Sequence, residues 1–199
     1  MPFAMVLLLL VALAWSQSAD AAPLDAGEGK LDAGPLDWLD AIFGGGAAMM
    51  PPTPAASANR AAFLRMLRVS EGTAGPDGYR TFYGGTLFAD LSAHPNVKHT
   101  AAGITSTAAG AYQFLFRTWE ECRRALELPD FSPASQDAAA VFLIQRRGAL
   151  PDVDAGNFAA AVTKCALEWA SLPGAGYGQH ENTLARLEAA YLEAGGGVA

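Results

Sequence analysis

Few residue types in this chain are placed to do chemistry, and Glu71 leads them. Leu64, Leu67 and Glu71 fall at i, i+3 and i+7, so the carboxyl continues the apolar stripe of a helix. Burial disfavours its ionised form, and so does the negative end of the helix dipole. Both effects raise the pKa, which suits a general acid near neutral pH. Position alone favours a plainer role, a solvated glutamate at a frayed helix end. Cleaving an acetal needs a proton for the leaving oxygen and stabilisation of a cationic sugar. Most such sites use two carboxylates, and one suffices when an N-acetyl group of the substrate assists. Asp77 and Asp90 are candidate partners for Glu71, although capping a turn is the simpler role for both.

Two further stretches could shape a binding groove. Ser106 to Gln113 is a small, polar loop leading towards a helix. Small residues let a ligand approach the backbone, while Tyr112 and Gln113 offer a flat ring and an amide. A capped helix start with Tyr112 in the core fits the same residues. Trp169 to Gln179 places Tyr177 in a Gly-rich turn, as a stacking surface or as a cover for the core. His94, His99 and His180 are too scattered to read as metal ligands, and no nucleophile-elbow motif is present. Cys122 and Cys165 lie in predicted helices without zinc-ligand neighbours. They could pair as a disulfide or stay as buried thiols.

The elements that must hold these residues are mostly helical. Asn59 is an N-cap candidate for a helix running to Ser70 or Glu71, with Gly72 placed to end it and Phe63, Leu64 and Leu67 as its apolar stripe. Residues 72–110 are Gly-rich, and Tyr79 to Phe88 around Gly84-Gly85 reads as a β-hairpin, followed by a polar loop through His94-Pro95. Helical periodicity returns with Tyr112, Leu115, Phe116, Trp119 and Leu126. Ser132-Pro133 caps a helix that stops at Gly148. Phe158, Val162, Cys165 and Trp169 mark another helix, and Leu184, Leu187 and Tyr191 mark the last, ended by Gly195. The fold class is α+β, with a small antiparallel lobe after the first helix.

The 199 residues carry a net charge of −7. Residues 1–58 hold one base, Lys30, against six acids, so the rest of the chain is close to neutral. Without a basic patch, nucleic acid and anionic lipid are poor partners. Phe3 to Trp15 is an uncharged apolar run too short to span a bilayer comfortably, and Ala19-Asp20-Ala21 follows as a cleavage site. Residues 1–21 therefore read as a signal peptide and predict a secreted or periplasmic protein. No base precedes the apolar run, which leaves an uncleaved membrane anchor as the alternative. Residues 22–58 read as an Ala/Gly/Pro/Asp-rich linker, and 59–199 as the folded domain.

Six segments then occur in one order. They are Ser70-Glu71-Gly72-Thr73; Tyr83-Gly84-Gly85 with Leu87-Phe88; Ser106-Thr107 with Gly110 and Tyr112-Gln113; Asp130 to Pro133 with Ser135-Gln136-Asp137; Arg147 to Pro151; and Trp169 to Gly174 with Gln179. Together they resemble the phage lambda endolysin family, the lysozyme-like lytic transglycosylases of glycoside hydrolase family 104. The resemblance spans about residues 59–197. It implies a lysozyme-like fold and cleavage of the β-1,4 bond between N-acetylmuramic acid and N-acetylglucosamine, leaving a 1,6-anhydro end. It places Glu71 at the catalytic glutamate, and Ser106, Tyr112, Gln113 and Tyr177 along the saccharide groove. The implied partner is the peptidoglycan strand, met by a monomer that needs no cofactor and no metal. A hydrolytic muramidase and a non-catalytic wall-binding module are the alternatives.

Overall fold

The computed structural model describes residues 53–101, 104–176 and 181–199. The expected signal peptide and nearly all of the expected linker lie outside these residues. The first helix, α1, runs from Pro54 to Ser70. Its N-cap is Thr53, whose hydroxyl accepts from the Ala56 amide at 3.2 Å, with proline at the first helical position. The helix therefore begins earlier than the expected start at Asn59. Asn59 is instead a buried residue within α1 that joins two distant segments. Its amide donates to the Asp154 carbonyl and its oxygen accepts from the Gly197 amide. A polar side chain with its hydrogen-bonding groups met inside the fold gives no sequence signal separating it from a cap.

The end of α1 matches the expectation. Glu71 is its C-cap and Gly72 turns away with φ 72°, in the left-handed region where glycine is favoured. Ala62, Phe63, Met66, Leu67 and Ser70 are buried, whereas Leu64 sits at the margin of that face.

A 3-10 turn at Gly78–Arg80 leads into the small lobe. The expected hairpin from Tyr79 to Phe88 has its turn at Gly84-Gly85, both at φ 87°, but its pairing is reduced to a single bridge between Thr81 and Leu87. The ladder lies further on. Strands β1 (His99–Ala101) and β2 (Ile104–Ser106) pair antiparallel, with His99 opposite Ser106, and the Thr100 and Thr105 hydroxyls meet across the strands at 2.8 Å. Three-residue strands are too short for alternation to reveal them in sequence.

Helix α2 spans Phe116–Ala125. The 3.6-residue pattern predicted helix from Tyr112, but Gly110 and Gln113 have φ of 80° and 49°, which no helix accommodates. Residues 109–114 form a tight turn closed by the Phe114 amide on the Ala109 carbonyl. Helix α3 (Pro133–Arg146) begins under the Ser132 cap as expected. A short helix, α4 (Leu150–Ala155), went unpredicted, because its six residues are too few to show a period. Helix α5 (Phe158–Cys165) stops before Trp169, and α6 (Leu184–Glu193) closes the fold, with Gly195 just beyond it.

Helix α1 packs against α6, α4 and α3. Phe63, Phe158 and Tyr191 join these layers through ring contacts of 6.2 and 4.9 Å. Trp119 and Phe131 meet edge to face at 4.6 Å beneath the lobe. Cys122 and Cys165 are both buried free thiols, so the disulfide alternative falls. Among the described residues no helix is long and apolar enough to cross a membrane.

Candidate active site

The C-terminus of α1 delivers Glu71 into a cleft between the helices and the lobe. Tyr83, Ser106, Gln113, Leu143 and Trp169 are among the residues that line the cleft with it. Glu71 is 1 % exposed. Its Oε1 accepts from the Ser171 hydroxyl at 2.7 Å, while its buried Oε2 has no hydrogen-bond partner. Burial raises its pKa to about 7, and the Ser171 hydrogen bond opposes that rise only in part. A carboxyl half protonated near neutrality can give up a proton and take one back on the same oxygen.

The lobe is fastened to the helical body by two residues of α3. Gln136 is fully buried. Its Oε1 accepts from the Ala111 amide at 2.8 Å, and its amide donates to the Phe131 and Tyr79 carbonyls. Gly110 is required beside it, because a Cβ there would lie 2.3 Å from Gln136 Oε1. Asp137 accepts hydrogen bonds from the Tyr79 and Tyr112 hydroxyls at 2.9 and 2.6 Å. These anchors hold the turn that carries Gln113.

The expected site residues are distributed as follows. Ser106 is buried at the end of β2, lines the cleft, and accepts from the Ala108 amide. Tyr112 also lines the cleft but is 2 % exposed, with its hydroxyl committed to Asp137. Gln113 donates its amide to the Thr81 and Gly110 carbonyls at 3.1 and 3.0 Å, which fixes the orientation of the group. Its Oε1 is then left buried without a partner, on a residue that lines the cleft. Tyr177 lies outside the described residues. Asp77 pairs with Arg80 and Asp90 accepts from the Ser92 amide, so both serve local turns and neither lines the cleft.

The carboxylate that does share the cleft with Glu71 is Glu168, which the sequence reading missed. Its side chain is 2 % exposed, and both its oxygens are engaged by guanidinium groups. Arg146 reaches Oε1 and Oε2 at 2.8 and 2.9 Å, and Arg147 reaches Oε1 at 2.7 Å. Ser171 was also passed over as a functional residue, although it lies inside the Trp169–Gly174 segment. A serine in a turn carries no sequence signal until the fold sets it against Glu71. Among the described residues no group of three or more His, Cys, Asp or Glu side chains is arranged to hold a metal ion.

Comparison with known proteins matches this arrangement to a family. The endolysin family model aligns with residues 61–198. The chain is 49 % identical to the endolysin of Escherichia phage lambda, over 70 % of this chain and 92 % of that protein. It is 46 % identical to the endolysin of Escherichia phage P2, over 69 % of this chain and 93 % of the relative. Among solved structures it is similar to bacteriophage lambda lysozyme in complex with a chitohexasaccharide. That match has a TM-score of 0.68 and 47 % identity, and covers 71 % of this chain and 97 % of the other. A second structure of the lambda lysozyme gives a TM-score of 0.66 at the same identity and coverage. The α+β fold is thus lysozyme-like, and the chain belongs to the endolysin family.

Proposed function

We propose that this endolysin-family enzyme degrades peptidoglycan as a lytic transglycosylase, with Glu71 as acid and then base. Glu71 Oε2 gives its proton to the bridging oxygen as the bond from the muramoyl C1 breaks, and the N-acetyl group of the same sugar supports the cationic carbon. The C6 hydroxyl then attacks C1 and returns its proton to Oε2. The products are a free N-acetylglucosamine hydroxyl and a 1,6-anhydro-muramoyl end, and no water is consumed.

One observation carries this reading. Among the described residues the cleft holds a single carboxyl with an oxygen unclaimed by the protein, on Glu71, while Glu168 is taken up by two arginines. A hydrolase of the usual two-carboxylate kind needs a second free carboxylate to activate water or attack the sugar. The chitohexasaccharide bound to the lambda lysozyme supports a glycan as the occupant of this cleft. Within it, Gln113 Oε1 suits an N–H or hydroxyl donor of the sugar, and Ser106 lines the same cleft. The enzyme acts as a monomer, without cofactor, in a secreted or periplasmic location.

Mass spectrometry of digested peptidoglycan tests the reaction, since anhydro ends are lighter than reducing ends by one water. Anhydro ends are expected, and a digest holding only reducing ends would make the enzyme a hydrolytic muramidase.

A further inference from the structure

Glu71 stands at the end of a chain of hydrogen bonds that starts at the surface on α6. Arg186 Nη1 donates to Asn182 Oδ1 at 2.8 Å. Arginine has only donors, so this contact fixes which way the Asn182 amide points. Asn182 Nδ2 therefore donates to the Ser70 hydroxyl oxygen at 3.1 Å and to the Ser171 carbonyl at 3.1 Å. The Ser70 and Ser171 hydroxyls are 2.6 Å apart, and Ser171 reaches Glu71 Oε1 at 2.7 Å. Ser70, Ser171 and Asn182 are all buried. Glu181, next to Asn182, is itself tied, because its carboxylate accepts from the Gly174 and Gly176 amides at 2.7 and 2.8 Å.

The order of donors has a consequence. Ser70 accepts a hydrogen bond from Asn182, so its own hydroxyl is free to donate to Ser171, and Ser171 donates to Glu71 Oε1. The reverse arrangement, with Oε1 protonated and donating to Ser171, would turn Ser171 onto Ser70. Both lone pairs of the Ser70 oxygen would then be taken by donors, and its own proton would lose the acceptor at 2.6 Å.

We infer that Arg186, Asn182, Ser70 and Ser171 are positioning residues that commit Glu71 Oε1 to accepting, and so confine the transferable proton to Oε2. The inference rests on the reading of Glu71 as the catalytic acid. It adds which oxygen reacts and what holds it there. Oε2 is the oxygen without a protein partner. The other ionisable side chains lining the cleft are Tyr83, Tyr112 and Glu168, the last paired with Arg146 and Arg147.

Three variants of the full chain, Glu71→Gln, Ser171→Ala and Arg186→Ala, test it. Each is checked for folding by circular dichroism, and kcat and KM on soluble peptidoglycan strands are followed from about pH 5 to 9. Ser171→Ala is expected to lower kcat roughly 10- to 100-fold with KM nearly unchanged, the effect of losing one hydrogen bond to a charged group. It should also move the Glu71 limb of the profile to higher pH, since Ser171 stabilises the carboxylate. Arg186 is exposed, so Arg186→Ala should fold and shift the limb the same way by a smaller amount. A merely structural role would change the folded fraction and leave the limb where it was. If Ser171→Ala does not fold, Arg186→Ala decides alone. Superposition of the folded variants' profiles on the wild type, with Glu71→Gln inactive, overturns the chain and leaves the reading of Glu71 standing. Wild-type activity in Glu71→Gln overturns both.

Discussion

Glu71 and Glu168 line the same cleft, and both are almost fully buried. Their surroundings are nevertheless opposite. Glu71 meets one hydroxyl and leaves one buried oxygen without a partner, whereas Glu168 has both oxygens on guanidinium groups. Burial by itself therefore does not make a carboxyl reactive. What matters is whether a cation offsets the lost hydration. Without one, Glu71 is driven towards its neutral form. With two, Glu168 ties α3 to the segment after α5.

The largest effect expected from this contrast is catalytic. Glu71→Gln keeps the shape and removes the proton, so kcat should fall at least roughly 10³-fold while the fold persists. Glu168→Gln should keep activity within about threefold per folded molecule. Release of dye from labelled cell walls reads both, and equal losses in the two variants would erase the distinction.

Stability against pH sharpens the same contrast. Glu71 titrates near 7 in the folded chain and near the ordinary 4.5 when unfolded. Between those values the folded state holds the extra proton, so the contribution of Glu71 to stability is full below 4.5 and is lost as pH rises to about 7. The loss above 7 is on the order of 3 kcal/mol. Glu71→Gln should abolish this slope and be the more stable protein in alkaline buffer. Denaturant titrations across pH measure it, and parallel curves for the two proteins would contradict the assignment of the slope to Glu71.

Glu168→Gln should instead cost about 2 kcal/mol, less than for a sealed ion pair, because Arg146 and Arg147 remain about one-third exposed and can regain water. For a domain of this size that corresponds to a fall in Tm of roughly 4 to 8 °C. An unchanged Tm would mean that the arginines hold Glu168 without stabilising the fold.

The legible parts of this molecule are those written in local patterns. The end of α1 at Gly72, the Ser132-Pro133 cap and the stop at Gly195 each follow from residue types within one turn. Glu71 was visible because it continued an apolar stripe. What stayed hidden depends on distant partners. Asn59 looked like a cap because nothing nearby announces Asp154 and Gly197. The helix expected from Tyr112 was overruled by the positive φ of Gln113, which is tied back to Thr81. Tyr112 itself, read as a face for a sugar, has its ring nearly covered and its hydroxyl on Asp137. Ser171 and Glu168 gain meaning only from residues 100 and 22 positions away.

The smallest effect concerns the two thiols on the Glu168 side of the fold. Cys122 and Cys165 are pushed up to about 12, by burial first and with Glu168 adding to it. Neutral buried thiols are poor nucleophiles, so a disulfide reagent should reach them only when the fold opens. The thiol count in denaturant should be two with or without prior reduction, because neither cysteine is bridged. Native labelling should speed up in Glu168→Gln by about the factor that its lost stability implies, since opening sets the rate when reclosing is fast. Glu71→Gln, measured above pH 7, should slow labelling instead, because it removes an ionised group from the interior. Opposite signs from two carboxylates of one cleft would show that one charge holds the structure and the other strains it.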